Sequence, residues 1–224
     1  MIRALVALAA VLALLVARDA VAGVPTDQLR GSIDLILKIV TDPELKKAAK
    51  TGERRRGLRT VANAIFDFTE ISQRSLGRHW QGRTLDEREQ IVALFGDLLE
   101  NAYITKIESY SGEKIQFAGD LIDGDQAVVK TKIVTKQGTE IPVDYRMLLN
   151  DGRWRAYDVN IEGVSLVSNY RTQFNAIIQR RGYPDLVAKL KVKQAERPGA
   201  RETGVQEEPV PTAAAVTTTP RQSP

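Results

Sequence analysis

Apolar residues recur at helical spacing through Leu29, Ile33, Ile36, Leu37 and Val40, and Asp42-Pro43 then stops the run. After the basic, exposed-looking segment KKAAKTGERRRG, a second stripe follows in Leu58, Val61, Ala62, Ile65 and Phe66. Thr84 and Glu87 have the spacing of a capping box, and Ile91, Leu94, Phe95, Leu98, Leu99, Ala102 and Tyr103 then mark the longest amphipathic helix of the chain.

Beyond this helix the period changes from 3.6 to 2. Four alternating segments are separated by Asp123-Gly124, Gln137-Gly138 and Asn150-Asp151-Gly152, each a turn signal. Such short connections predict an antiparallel meander. Its apolar face is expected to carry Phe117, Val129, Ile133, Ile141, Val143, Tyr145, Met147, Tyr157, Val159 and Ile161. In the last segment strict alternation sets Arg155, Tyr157, Val159 and Ile161 against Trp154, Ala156, Asp158 and Asn160. From Glu162-Gly163 the spacing turns helical through Val164, Val167, Phe174 and Ile177/Ile178, breaks at Gly182-Tyr183-Pro184, and resumes at Leu186, Val187 and Leu190. The pattern predicts an α+β fold with helices packed on one side of a curved four-stranded antiparallel sheet.

The two ends of the chain read differently from this middle. Residues 1–22 have a positive start at Arg3, an apolar run from Ala4 to Val16 and the small-x-small site Ala20-Val21-Ala22, the layout of a cleaved export signal. An uncleaved anchor is the rival, weakened by Arg18 and Asp19 closing the run so early. From Gln194 to Pro224 the chain turns rich in Pro, Thr and Ala with little to bury, so disorder is expected there. A single domain over residues 23–193 is left between them.

Composition narrows the chemistry. The chain lacks cysteine, which removes disulfides, thiolate metal sites and a lipid-modified cysteine; with the export signal, a periplasmic location is expected. Its one histidine, His79, cannot build a zinc site or a histidine triad unaided. A formal charge of +4 spread among interspersed acids and bases does not suggest a nucleic-acid partner. Candidate acids are few. Asp67 and Glu70 fit a solvated helix start, and Ser165 lacks a nucleophile elbow. Asp158, near Tyr145 and Tyr157, is the acid that an isomerase-like enzyme would use. Neither a catalytic set nor a metal set is expected, and the chain reads as a non-enzyme without a cofactor.

The run WRAYDVNIEGVSLVSNYRTQF (Trp154 to Phe174) resembles the signature of the MlaC family, also called the toluene-tolerance family, of periplasmic phospholipid carriers. FDFTEISQRSLGRHW, LFGDLLENAYITKIESYSGE and IPVDYRMLLNDGRWRAYDV resemble the same family in the same order. The resemblance implies a sheet and helices enclosing an apolar cavity. It also implies a soluble carrier that takes a phospholipid between an outer-membrane lipoprotein complex and an inner-membrane MCE-domain ABC transporter, maintaining outer-membrane lipid asymmetry. Leu94, Leu98, Tyr103, Ile141, Val143, Tyr145, Met147, Val164 and Leu166 are the residues expected to line the space, and the resemblance singles out Tyr103, Ile141 and Val164. Arg146, Arg153 and Arg155 offer positive charge for a phosphate. A hopanoid or other polycyclic cargo, the Asp158 enzyme, and an adaptor without a cavity are the alternatives.

Overall fold

The structure is a computed structural model and describes residues 24–196. The expected export signal and nearly all of the expected tail lie outside the described residues. The elements run α1 (Pro25–Thr41), α2 (Thr51–Ile65), α3 (Phe68–Leu76), α4 (Leu85–Glu108), β1 (Lys114–Asp123), β2 (Gln126–Val134), β3 (Glu140–Asn150), β4 (Arg153–Ile161), β5 (Val164–Ser165), α5 (Leu166–Arg181) and α6 (Tyr183–Ala195). All strand pairs in the sheet are antiparallel, in the order β1-β2-β3-β4-β5.

The fold class is the predicted one, with a fifth strand. β5 arises because Glu162 and Gly163 both take positive φ (51° and 85°), so the chain folds straight back and Val164 pairs with Ile161. Val164 therefore belongs to a strand and not to the helical stripe assigned from its spacing. The helix starts one turn signal later, where Ser165 caps α5 by accepting from the Ser168 amide. The predicted helix stop at Asp42, the capping box of Thr84 and Glu87, and the break at Gly182 (φ 84°) are all present. α6 runs two residues past the expected boundary, and Gln194 bonds Asp97 of α4.

The register of β4 corrects the sequence reading. Tyr145 pairs with Val159 and Val143 with Ile161, but Met147 pairs with Ala156, so a bulge leaves Tyr157 as the extra residue. Trp154 and Ala156 consequently join Val159 and Ile161 on one face, which strict alternation had divided. They are 5% and 0% exposed and pack with Val129, Met147, Leu29, Ile33, Val61 and Ile65 beneath α1 and α2. Tyr157 leaves that face and lies under the Arg74 guanidinium, 4.1 Å from the ring centroid.

Two further expectations fail for related reasons. The basic run is not exposed throughout, because its GERRRG half lies in α2 and Arg54 and Arg55 turn inward while Arg56 stays exposed. Arg54 and Arg55 converge on Glu108 at the end of α4 (2.7 and 2.9 Å), and Arg59 spans the same two helices to reach Glu100 (2.6 Å) and Asp97. Asp67 is likewise buried. It caps α3 through the Glu70 amide, while its own amide bonds the Ala156 carbonyl.

The apolar residues gather in three clusters. One joins α3, α4, α5 and α6 around Phe95, with Tyr170 and Phe174 set edge-on against its ring at 4.8 and 4.9 Å. The second joins the sheet to α1 and α2, and the third is the small group Val40, Leu58 and Ile104 between α1, α2 and α4.

Burial by itself pushes the Glu108 carboxyl up, but hydrogen bonds and charge from Arg55 and Arg54 outweigh it and hold the group below the ordinary carboxylate range. A carboxyl whose folded pKa is depressed stabilises the fold above its unfolded pKa, and the contribution is lost as pH falls through the folded value. Glu108→Gln is expected to cost about 2 kcal/mol at pH 7, less than a fully buried pair because Arg55 is partly exposed. Urea unfolding should show that deficit shrinking below the carboxylate range; an equal deficit at both pH values would contradict the assignment.

Candidate functional site

Six of the nominated residues belong to or pack against two clusters that do not merge, and Ile141, Val143 and Val164 belong to neither. Leu94 is fully packed in the helical cluster, and Leu98, Tyr103 and Leu166 are half-buried against it. Met147 is fully packed in the sheet cluster, and Tyr145 is half-buried against it. Val143 is buried on β3, where its carbonyl accepts from the Thr131 hydroxyl at 2.7 Å, and Ile141 is half-buried near the end of the same strand. Val164 is 53% exposed on β5.

These placements follow from how the helices are mounted. α1, α2, α3 and α5 make the extensive helix contacts with the sheet, whereas α4 packs against α3 and α6. Toward α2, α4 is held by the long charged side chains of Arg54, Arg55 and Arg59 and by the small third cluster. The longest helix therefore has no extensive contact with any strand, and its Leu98 and Tyr103 are not pressed onto the sheet.

The tyrosines report the surroundings. Burial pushes the Tyr145 hydroxyl up to about 12, although the residue keeps part of its accessible surface. Burial also raises Tyr103, and it pushes Tyr170 up to about 12 with a smaller contribution from the neighbouring Tyr103. Neither the Tyr103 hydroxyl nor the Tyr145 hydroxyl makes a hydrogen bond among the described residues. Buried hydroxyls normally find a partner, so these two rings combine apolar walls with an open polar tip.

Register adds residues that sequence reasoning missed. Ala127, Trp154 and Ala156 share the sheet face of Tyr145, and Phe66 packs against both large clusters. Trp154 and Ala156 were hidden by the bulge, which no period-two pattern can signal. Arg146 pairs with Asp158 and so lies on the opposite face from Tyr145.

Two open clefts lie elsewhere, each of about 430 Å³. One is polar, lined by Glu70, Gln73, Arg74, Gly77, Trp80, Gln81 and Arg171, and the other is apolar, lined by Thr69, Trp80, Leu85, Arg88, Glu89, Val92 and Ala93. None of the nominated residues lines either. Among the described residues no acidic or histidine group is arranged to hold a metal, and no helix is long and apolar enough to cross a membrane.

Asp158 is buried, but its two oxygens are engaged. Oδ2 accepts from the Ser165 hydroxyl (2.7 Å) and Oδ1 from the Val167 amide (3.0 Å), which ties β4 to the first turn of α5. The acid thus serves the strand-to-helix junction and does not point into either described cleft. His79 bonds Asn175 at 3.0 Å.

A family model described as MlaC protein matches residues 30–192. The "Intermembrane phospholipid transport system binding protein MlaC" of Haemophilus influenzae is 24% identical over 142 residues, which cover 59% of this chain and 66% of that relative, just under two thirds of its length. Among solved structures, a phospholipid-binding protein from Ralstonia solanacearum, determined in complex with a phospholipid, superposes with a TM-score of 0.67 at 25% identity. That match covers 77% of this chain and 98% of the other.

Replacing Asp158 by Ala strands the buried Val167 amide and the Ser165 hydroxyl. The expected cost is about 2 kcal/mol in chemical denaturation at pH 7. Wild-type stability in Asp158→Ala would show that the junction does not depend on this acid.

Proposed function

The chain belongs to the MlaC family, and from that premise we propose that it is a periplasmic carrier which holds the acyl chains of a phospholipid between helix α4 and the inner face of the sheet. The observation that carries this reading is the shared fold: nearly the whole of a solved phospholipid complex superposes on it.

The physics of the cargo explains why a carrier is needed. At about 0.8 kcal/mol per methylene, the roughly 30 methylenes of a two-chain lipid would cost on the order of 24 kcal/mol to expose to water. Unassisted crossing of an aqueous compartment is prohibitively slow at that barrier. A carrier replaces the bilayer with an apolar lining and leaves the charged headgroup in water, since an unpaired charge is expensive to bury. The unmerged clusters, α4 held off the strands, and the half-buried Leu98, Tyr103, Tyr145 and Leu166 support such a lining.

On this reading the residues nominated from sequence divide by role. Tyr103, Leu98, Leu166, Tyr145 and Ile141 contact the chains, Leu94, Val143 and Met147 back them from within the packed walls, and Val164 stands at the exposed rim. The partners are a membrane assembly that supplies the lipid and another that accepts it: an outer-membrane lipoprotein complex and an inner-membrane MCE-domain ABC transporter, with outer-membrane lipid asymmetry as the outcome. Residues 1–22 direct export and are removed. Affinity close to that of a bilayer is required, because a much tighter site would load without unloading.

Mass spectrometry of gently purified protein should detect a co-purified phospholipid. A reproducibly empty protein would overturn the reading, and a polycyclic lipid would replace the cargo. In Tyr103→Asp, a carboxylate placed in the apolar lining should abolish loading while the circular dichroism stays native.

A further inference from the structure

The inner face of the sheet is apolar except at a few positions, and their bonding state differs. By register, Asp120, Thr131 and Tyr145 are its hydroxyl and carboxyl side chains. Asp120 accepts from the Thr26 hydroxyl at 2.6 Å, and Thr131 donates to the Val143 carbonyl at 2.7 Å. Tyr145 is left over: its hydroxyl has no partner among the described residues, and it is not among the buried oxygens sealed from solvent. It is therefore a donor that opens onto space while its ring is deep in the protein.

The surroundings restrict what that donor meets. Directly across the sheet from Tyr145 stand Val129 and Val159, neither with a side-chain acceptor. Burial raises its pKa to about 12, so the hydroxyl stays protonated throughout the physiological range. A phosphate oxygen would bring an anion against valines, which is costly without a cation, whereas a carbonyl oxygen is a neutral acceptor that tolerates apolar walls.

We propose that the Tyr145 hydroxyl donates a hydrogen bond to an ester carbonyl oxygen of the bound lipid, so that the protein distinguishes ester-linked from ether-linked chains. This rests on the carrier reading above and adds a linkage specificity to it. The acyl chains supply the bulk of the binding, and the tyrosine reads one of the two ester groups that join them to the headgroup.

The test presents the full-length protein with mixed vesicles of diester and diether phosphatidylglycerol carrying identical chains. The two lipids share their phosphate, so any preference isolates the carbonyl. Mass spectrometry of the loaded protein should show about fivefold more diester than diether, the size of one net hydrogen bond. Tyr145→Phe should take up both equally, with its melting temperature unchanged because no protein bond is lost. Equal uptake by the wild type, or a preference that survives in Tyr145→Phe, would overturn the assignment. Uptake of neither lipid by the folded wild type would overturn the carrier reading itself, and this assignment with it.

Discussion

The arrangement depends on α4 being held by ion pairs instead of being laid on the sheet. Its close packing is with α3 and α6, and its link to α2 runs through arginine side chains long enough to span a gap: Arg54 and Arg55 to Glu108, Arg59 to Glu100 and Asp97. Close apolar packing of a 24-residue helix on a sheet would merge the two large clusters into one core. Here they remain separate, with Phe66 packed against both. The isolated pair Val40 and Leu58 with Ile104 supplies the apolar part of the α2 attachment.

Around that frame, three of the buried polar residues carry structural bonds that keep the walls rigid, while the buried hydroxyls of Ser72 and Ser75 have no partner among the described residues. Asp158 fastens β4 to α5, Asp67 caps α3 and holds its start against Ala156, and the Thr131 hydroxyl donates to the Val143 carbonyl of the neighbouring strand. These bonds sit on elements that flank the proposed lining and consume the acids that sequence alone leaves free for catalysis. The Tyr103 and Tyr145 hydroxyls also lack a partner among the described residues, but unlike those of Ser72 and Ser75 they are not sealed from solvent. On the proposed reading, the cargo completes what the protein leaves unfilled there.

Much of the fold was legible because local signals agree with one another. The capping box at Thr84, the stop at Asp42-Pro43 and the three turn signals mark boundaries by mechanisms that tertiary context rarely overrides. The failures are equally local in origin. A single extra residue at Tyr157 reversed the faces of half a strand, which hid Trp154 and Ala156 from the apolar face. Two positive-φ residues at Glu162-Gly163 turned a presumed helix start into a hairpin and moved Val164 outward. Arg54 and Arg55 looked solvated because their partner, Glu108, lies more than fifty residues away in sequence. The nominated site was legible as a set of apolar positions, but which of them pack among themselves and which keep accessible surface depends on how α4 is mounted, and spacing carries no record of that.

On the carrier reading, alkyl chains lie between α4 and the inner face of the sheet. Nuclear Overhauser contacts in the lipid-loaded protein test it most directly. The account predicts contacts from acyl methylene protons to the Tyr145 ring and the Leu98 methyls, one on each wall. Contacts confined to Trp80, Leu85 and Val92, in the apolar cleft at the start of α4, would contradict it.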